Sequence, residues 1–296
     1  MLTESFESIA IATRQLLRNW GVMIVLAGLY ASLIATLYLF ATIREASAGQ
    51  VVLSLALAVV APFLFFVLQA AGASQTRSLT AGPLLRGALR NFWKVIVVSV
   101  PVIVVAALLT YLLGKVHLYL GTDGRELSDV TAQYQLRTTN DGEQPLRWSQ
   151  VILDAIRYLF LGLVLPLIAI HLWNASVGND LRSTMGAMKD LVVRAFAPHS
   201  VLIYAAGFVV FGVIPYLLLF KALPAGPAWI EITFFVVRLL LVFVLTLFGW
   251  VVTMSALAIS ERERLPVRTG SGSDLVGRAP NLRVGLWNNE LPTKSR

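Results

Sequence analysis

The residues with the clearest chemical potential in this 296-residue chain are charged side chains that lie within or beside long apolar runs. Asp154 and Arg157 are three positions apart, so a helix places them on one face. Arg238 falls inside a long apolar run, and Glu231 lies about two helical turns before it. Because a charge inside a bilayer is costly, such residues commonly pair with one another or line a path for a polar solute.

Asp154 and Arg157 have two interpretations. The simpler one is a local ion pair in the first turns of a membrane helix, with both side chains extending towards water at the outer surface. The other interpretation makes the two residues part of a substrate path through the membrane.

The role of Arg238 depends on where the last membrane crossing begins. A crossing that begins at Leu239 leaves Arg238 at the outer interface and lays the preceding segment along the membrane surface. A crossing that begins at Ile230 buries Arg238, which then needs a carboxylate partner, either Asp154 or Glu231.

Motifs of enzyme chemistry are missing from the sequence. It contains no Walker loop, no His-Glu-x-x-His and no Gly-x-Ser-x-Gly. His117, His171 and His199 are scattered and have no accompanying carboxylate cluster of the kind that a metal site needs. We therefore expect a protein that is not an enzyme and that holds neither a metal nor a cofactor.

The composition decides which solvent surrounds the chain. Hydrophobic residues make up 57% and charged residues 14%, with a mean hydropathy of +0.75. A soluble domain has roughly a quarter of its residues charged. The apolar residues are gathered in runs of about 20 residues or more, which is the length of a membrane-spanning helix. The alternating segments of about 10 residues that are typical of β-barrel strands are absent.

Six such runs divide the chain, so we predict an all-α integral membrane protein with six transmembrane helices. With the N-terminus in the cytoplasm, twelve basic residues near the spans fall inside and six outside, in agreement with the positive-inside rule. Both termini are then cytoplasmic, in a bacterial-type inner (plasma) membrane. The net charge of +8 is explained by anionic lipid, and no motif indicates nucleic acid. The predicted spans are about 21–41, 51–71, 95–113, 151–172, 201–220 and a final run that ends near 259.

A short block occurs three times before long apolar runs: Leu17-Arg18-Asn19-Trp20, Leu89-Arg90-Asn91-Phe92 and Val193-Arg194-Ala195-Phe196. Each block ends a basic amphipathic stretch, which predicts an interfacial helix before a hairpin of two spans. The stretches indicate either an internal repeat of 1–75, 76–176 and 177–262, or only the basic segments that help many membrane helices insert. The cations expected to contact lipid phosphates are Arg14, Arg18, Arg86, Arg90, Lys94 and Arg194.

This layout resembles that of bacterial six-span proteins built from interfacial helices and membrane hairpins. Among them is the membrane domain attached to some glycerophosphodiester phosphodiesterases. The resemblance rests on segments of the Leu89-Arg90-Asn91-Phe92 type and covers the layout of 1–262. It implies a six-span membrane domain and carries no activity, because the catalytic domain of those enzymes has no counterpart here.

Four prolines, Pro62, Pro101, Pro166 and Pro215, each lie well inside a predicted span. A proline removes one intrahelical hydrogen bond and bends the helix, and in lipid the carbonyl that it frees needs a partner. Such bends either shape the packing of the helices or enclose a central site with mobile halves, as in transporters.

The longest polar loop, 115–150, contains alternating stretches at 116–119 and 134–137, which are compatible with a small strand cap on the outer face. After 262 the chain becomes rich in Gly, Ser and Pro, so 263–296 is predicted to be a flexible cytoplasmic tail. Apolar residues alternate within 281–287, which is typical of a short docking segment.

We therefore expect a non-enzymatic inner-membrane protein that organises, assembles or regulates membrane partners. Its expected partners are membrane lipids, preferentially anionic on the cytoplasmic side, and a protein bound through the tail or the interfacial helices. The alternative is a permease that moves a small solute through a proline-kinked helix bundle, with Asp154, Arg157 and Arg238 along its path.

Overall fold

The computed structural model describes residues 2–44, 47–77, 80–121, 148–221 and 227–264, which are nearly all helical. No strand occurs within these ranges. The helices are, in chain order, α1 (Leu2–Arg18), α2 (Trp20–Thr42), α3 (Ala48–Ser74), α4 (Ala81–Gly121), α5 (Trp148–Leu159), α6 (Leu165–Gly178), α7 (Leu181–Gly186), α8 (Met188–Ala195), α9 (Pro198–Phe208), α10 (Ile214–Phe220) and α11 (Ala228–Arg264). A π-helical turn at Phe160–Val164 joins α5 to α6, and another at Val209–Val213 joins α9 to α10.

Within the described residues, six helical segments are long and apolar enough to cross a membrane. They are Trp20–Thr42, Ala48–Ser74, Ala81–Val116, Val151–Gly178, Pro198–Phe220 and Trp229–Glu261. The predicted helical class is therefore confirmed, and each of the six predicted runs coincides with a helix that could span a membrane. Each predicted apolar run lies inside one of these segments, because every backbone polar group in a bilayer must be paired and a helix pairs them within the segment.

The helix α4 is much longer than one membrane crossing. It contains 41 residues. A helix of that size is about 60 Å long, whereas the hydrocarbon core of a bilayer is about 30 Å thick. The alternating stretch at 116–119 belongs to this helix, so the prediction of a strand there is wrong. A helix that has already formed gains one hydrogen bond for each residue it adds, which favours extending it. The second stretch, 134–137, lies outside the described residues.

The three basic stretches adopt three different local structures. The first is the separate helix α1, and the third is divided between α7 and α8 before Pro198 begins α9. The second continues without a break into the span as the first turns of α4. A separate interfacial helix before every hairpin is therefore not confirmed.

The helix α1 packs against α9 and α11 at one end of the bundle. Ser5, Ser8, Ala12 and Leu16 recur every three or four residues and are buried, so they form the face of α1 that contacts the bundle. The side chain of Ser5 lies 2.6 Å from Nδ1 of His199, between the hydroxyl oxygen and the ring nitrogen. The first helix therefore lies at the same end of the bundle as the C-terminal half of α11, which is predicted to face the cytoplasm.

Close helix contacts surround two glycines. A Cβ atom on Gly249 of α11 would lie 2.9 Å from Cβ of Phe211 and 3.1 Å from its backbone nitrogen. A Cβ atom on Gly207 of α9 would collide with the side chain of Thr253. Small residues let membrane helices approach closely, which is how α11 packs against the fifth span.

Candidate functional site

A cavity of about 520 Å³ lies between the membrane-spanning helices and is lined by all six of them. Its volume falls in the range of about 300–1,000 Å³ that is typical of small-molecule sites. Each span contributes at least one lining residue, for example Tyr30, Phe65, Val102, Gly162, Tyr204 and Trp250. We call this space the central cavity.

The walls of the central cavity are apolar because their polar groups bond to one another. Hydrogen bonds run from Trp250 Nε1 to Gln69 Oε1 (3.0 Å), from Trp173 Nε1 to Ser99 Oγ (2.7 Å) and from the Tyr204 hydroxyl to the Gly162 carbonyl (2.8 Å). Indole and phenol rings turn their apolar surfaces to the cavity while their polar atoms are paired. Such walls suit a hydrocarbon better than a polar solute.

The central cavity has two exposed lining residues, and both lie well inside membrane spans. Ile103 of α4 is 53% exposed and Phe65 of α3 is 38% exposed, whereas the other lining residues are buried or half-buried. The ring of Phe65 also contacts that of Trp173 on α6, with centroids 6.3 Å apart. These two residues mark a mouth of the cavity at the depth of the hydrocarbon.

The π-helical turns lie beside the central cavity. Leu161 and Gly162 line it from the first turn, and Phe211 lines it from the second. In each span a proline follows two residues after the π-helical turn, Pro166 in one and Pro215 in the other. Pro62 and Pro101 lie instead within regular α-helix. Single π-helical turns are frequent at functional sites.

A second, polar pocket of about 490 Å³ lies where the first turns of α4 meet the end of α6. It is lined by Arg90, Asn91, Lys94, Val177, Gly178, Asn179, Asp180 and Ser183. Nζ of Lys94 donates a hydrogen bond to the carbonyl of Asn179 over 3.3 Å. The guanidinium of Arg77 lies against Gly178, where a Cβ atom would collide with it. We call this space the basic pocket, since its cations outnumber its single carboxylate.

Comparison with known proteins gives no relative. No protein-family model, no curated protein and no solved structure matches this chain. Its function must therefore be inferred from the two spaces and from the charged residues around them.

The cations predicted to contact lipid phosphates fall into two groups. Arg90 and Lys94 line the basic pocket. The other four are exposed on helix surfaces elsewhere and line neither the basic pocket nor the central cavity; they are Arg14, Arg18, Arg86 and Arg194.

The charged residues predicted for a solute path are not brought together. Asp154, Arg157 and Glu231 are exposed, Arg238 is half-buried, and none of the four lines the central cavity or the basic pocket. Asp154 and Arg157, both described, form no ion pair with each other, although they are one turn apart. Arg238 lies within the uninterrupted helix α11, which begins at Ala228. A role for these residues in transport stays a prediction.

A buried polar cluster at the α1 end of the bundle was not predicted. His171 is 1% exposed, and its Nδ1 contacts the carboxylate of Glu261, 90 positions away in the chain. The amide of Gln75 contacts the Ser255 hydroxyl and the Val251 carbonyl. Sequence patterns do not reveal such pairs, because their members lie on helices that meet only after folding. The only available signal was the polarity of these residues within or next to apolar runs.

Three atoms of this cluster have no hydrogen-bond partner among the described residues. They are Oε1 of Gln75, Nε2 of His171 and Oδ1 of Asn174. Within the same described ranges, no three His, Asp or Glu side chains lie close enough to share a metal ion. We interpret the cluster as the polar packing that ties α3 and α6 to the last turns of α11.

Proposed function

We propose that this chain is a non-enzymatic multi-pass protein of a bacterial-type inner membrane that organises, assembles or regulates membrane partners. One observation carries the proposal. In all three basic blocks the apolar first residue and the arginine that follows it are exposed, so the bundle leaves these side chains available to lipid and to partners. The cytoplasm is proposed as the location of both termini, on the basis of the positive-inside rule.

The exposed pairs combine an apolar and a cationic side chain at neighbouring positions. They are Leu17 with Arg18, Leu89 with Arg90, and Val193 with Arg194. A pair of this kind at the interface places its apolar part among acyl chains and its guanidinium near lipid phosphates. Each basic residue near an anionic membrane surface contributes about 1 kcal/mol to the attraction. This supports a preference for anionic lipid on the α1 side of the bundle.

The residue at the third position of each block faces the protein, unlike the two exposed residues before it. Ala195 and Asn91 are buried and Asn19 is half-buried, so the corresponding residue turns towards the protein in every copy. This shared orientation supports the proposal that 1–75, 76–176 and 177–262 are related structural units, even though the three stretches differ in local structure.

A permease for a small solute is the second candidate function. The observation in its favour is a central cavity lined by all six spans, with π-helical turns and prolines in two of them. Against it, the charged residues Asp154, Arg157 and Arg238 lie outside the cavity, and the walls are apolar. We therefore place this function second.

Affinity purification in mild detergent, followed by identification of bound proteins and lipids, tests the proposal. Replacing Arg18, Arg90 and Arg194 by Gln should remove co-purifying partners, whereas the matched change Lys221→Gln at the opposite end should not. Deleting 265–296 tests the contribution of the tail. The amount of protein in the membrane should be unchanged in each case.

If all partners are retained in the triple variant and in the deletion, the proposed binding surfaces are wrong. If uptake of a solute is instead lost in Arg238→Gln and in Asp154→Asn at unchanged protein level, the chain is a permease.

A further inference from the structure

We infer that the central cavity holds one acyl chain of an anionic phospholipid whose phosphate is bound by Arg90 and Lys94 in the basic pocket. The inference deepens the proposed function, because it names the lipid partner and the place where that partner binds. The proposed cytoplasmic location of the termini determines only which leaflet of the membrane supplies the lipid.

The apolar walls select a hydrocarbon as the occupant. Within a bilayer, the central cavity leaves its lining atoms without contacts unless something fills it. Water is a poor filler, since the indole and phenol groups of the wall already bond to protein acceptors. Acyl chains surround the protein at this depth, and the exposed mouth at Ile103 and Phe65 opens among them.

The basic pocket selects the headgroup. Arg90 and Lys94 are one helical turn apart on α4, so their cationic groups reach the same space. The amide of Asn91 and the hydroxyl of Ser183 also line it, and they are neutral donors for phosphate oxygens. Two cations, Arg90 and Lys94, line the pocket and one carboxylate, that of Asp180, opposes them. This balance suits a phosphate and disfavours a zwitterionic headgroup.

The two spaces lie on the same pair of helices at a distance that one lipid covers. Lys94 and Ser99 are five residues apart on α4, and Val177 and Trp173 are four apart on α6. These separations correspond to about 6–8 Å along the helix axes. Between them Val95 is fully buried, and Trp173 of α6 donates a hydrogen bond to Ser99 of α4, so the two helices are in contact there. The acyl chain therefore reaches the cavity from the lipid side through the mouth, while the phosphate stays in the basic pocket.

Titration of the purified, delipidated full chain by native mass spectrometry tests the headgroup. The probes are phosphatidylglycerol and phosphatidylcholine with identical acyl chains. We expect one phosphatidylglycerol to bind roughly 10-fold tighter or more, and the double change Arg90→Gln with Lys94→Gln to remove that preference. Equal binding of the two lipids to the unchanged protein would overturn the inference.

Two neighbouring alanines of α4 provide a matched test of the chain site. Ala106 lines the central cavity, whereas Ala107 is exposed on the outside of the same helix. Ala106→Trp fills the cavity and should weaken phosphatidylglycerol binding roughly 10-fold or more. Ala107→Trp should leave binding unchanged. Equal affinities in the two variants would show that the cavity is not used, and thermal unfolding checks that both variants fold.

Crosslinking with a photoreactive benzoylphenylalanine tests the same site without a tryptophan that fills the cavity. Placed at Ile103 in the mouth, it should crosslink one phospholipid that survives washing with detergent. Placed at Val104, which is 60% exposed but does not line the cavity, it should crosslink lipid only before washing. Identical crosslinking at both positions contradicts the inference. In a separate competition experiment, a polyprenyl phosphate that displaces phosphatidylglycerol at a lower concentration would show that the site prefers a different lipid, which also contradicts the inference.

These measurements use purified components, so they are independent of cellular partners. Loss of co-purifying proteins on deletion of 265–296, with phosphatidylglycerol binding intact, would support the proposed function and leave the lipid site standing. If the triple arginine variant retains its co-purifying proteins, while the unchanged protein binds one phosphatidylglycerol and Arg90→Gln with Lys94→Gln does not, the proposed function alone is refuted.

Discussion

The hydroxyl of Tyr204 donates a hydrogen bond of 2.8 Å to the carbonyl of Gly162, across the interface between two spans. In a regular α-helix that carbonyl would accept a bond from the residue four positions later, which here is Pro166 and has no N–H. A carbonyl freed inside a bilayer needs another partner. Tyr204 of the fifth span supplies a partner for this carbonyl, which belongs to the π-helical turn that precedes Pro166 in the fourth span.

Removing the Tyr204 hydroxyl should therefore destabilise the bundle. We expect Tyr204→Phe to lower the free energy of unfolding by about 1 kcal/mol, since it leaves a carbonyl without its partner in an apolar wall. The measurement is equilibrium unfolding in mixed micelles. Tyr216→Phe is the control, because the ring of Tyr216 is 60% exposed on α10.

The role of Pro166 can be separated from that of Tyr204 by a double-mutant cycle. Pro166→Ala supplies an N–H four positions after Gly162, and if that N–H can reach the Gly162 carbonyl, Tyr204→Phe should cost much less in this background than it does alone. The same cost in both backgrounds would mean that the tyrosine stabilises the bundle by packing and not by replacing the missing donor.

A methyl group on Gly249 should separate α11 from the second π-helical turn. Its Cβ atom would lie 2.9 Å from Cβ of Phe211, and the backbone of Phe211 is nearly as close and cannot rotate away. Overpacking of this kind costs about 1–3 kcal/mol. We expect Gly249→Ala to lower the midpoint of thermal unfolding in detergent.

The control for this prediction is Gly28→Ala in α2. No heavy atom lies within 4 Å of the Cβ position at Gly28. Alanine favours helix over glycine by up to about 1 kcal/mol. This variant should be as stable as the unchanged protein or slightly more stable. If Gly249→Ala and Gly28→Ala behave alike, the contact between α11 and Phe211 is looser than the structure indicates.

The six spans could be predicted from the sequence because they depend on a local property. A run of about 20 apolar residues must satisfy its backbone internally in lipid, whatever the other helices do. Helix ends outside the apolar runs follow different rules. The charged first turns of α4 could not be assigned to a separate helix or to the span from pattern alone, because no proline or other breaker immediately precedes Val95.

The central cavity could not be predicted, because it depends on contacts between residues that are far apart in the sequence. Its walls come from six helices, and its apolar character depends on pairs such as Trp250 with Gln69, 181 positions apart. Asp154 and Arg157, which the sequence offers as candidates for a solute path, lie on the surface instead. Periodicity assigns a residue to a face of its helix, but it does not say which helix that face will meet.

The contact between His171 and Glu261 gives a further prediction. Glu261→Ala leaves a fully buried imidazole without its partner. The loss should cost about 1–3 kcal/mol of unfolding free energy. Adding His171→Leu removes the unpaired ring as well, so the double variant should recover part of the loss. A double variant that is less stable than Glu261→Ala would show that the histidine stabilises the bundle by itself.

The absence of cysteine makes the orientation of the chain directly testable. Asp190 in α8 and Lys221 after α10 are both exposed, and the span Pro198–Phe220 separates them. If the α1 end of the bundle is cytoplasmic, Lys221→Cys should react with a membrane-impermeant maleimide on intact spheroplasts. Asp190→Cys should react only after the membrane is opened. Reaction of both before opening would show that 198–220 does not cross the membrane, and the reverse pattern would place the arginine-rich end outside.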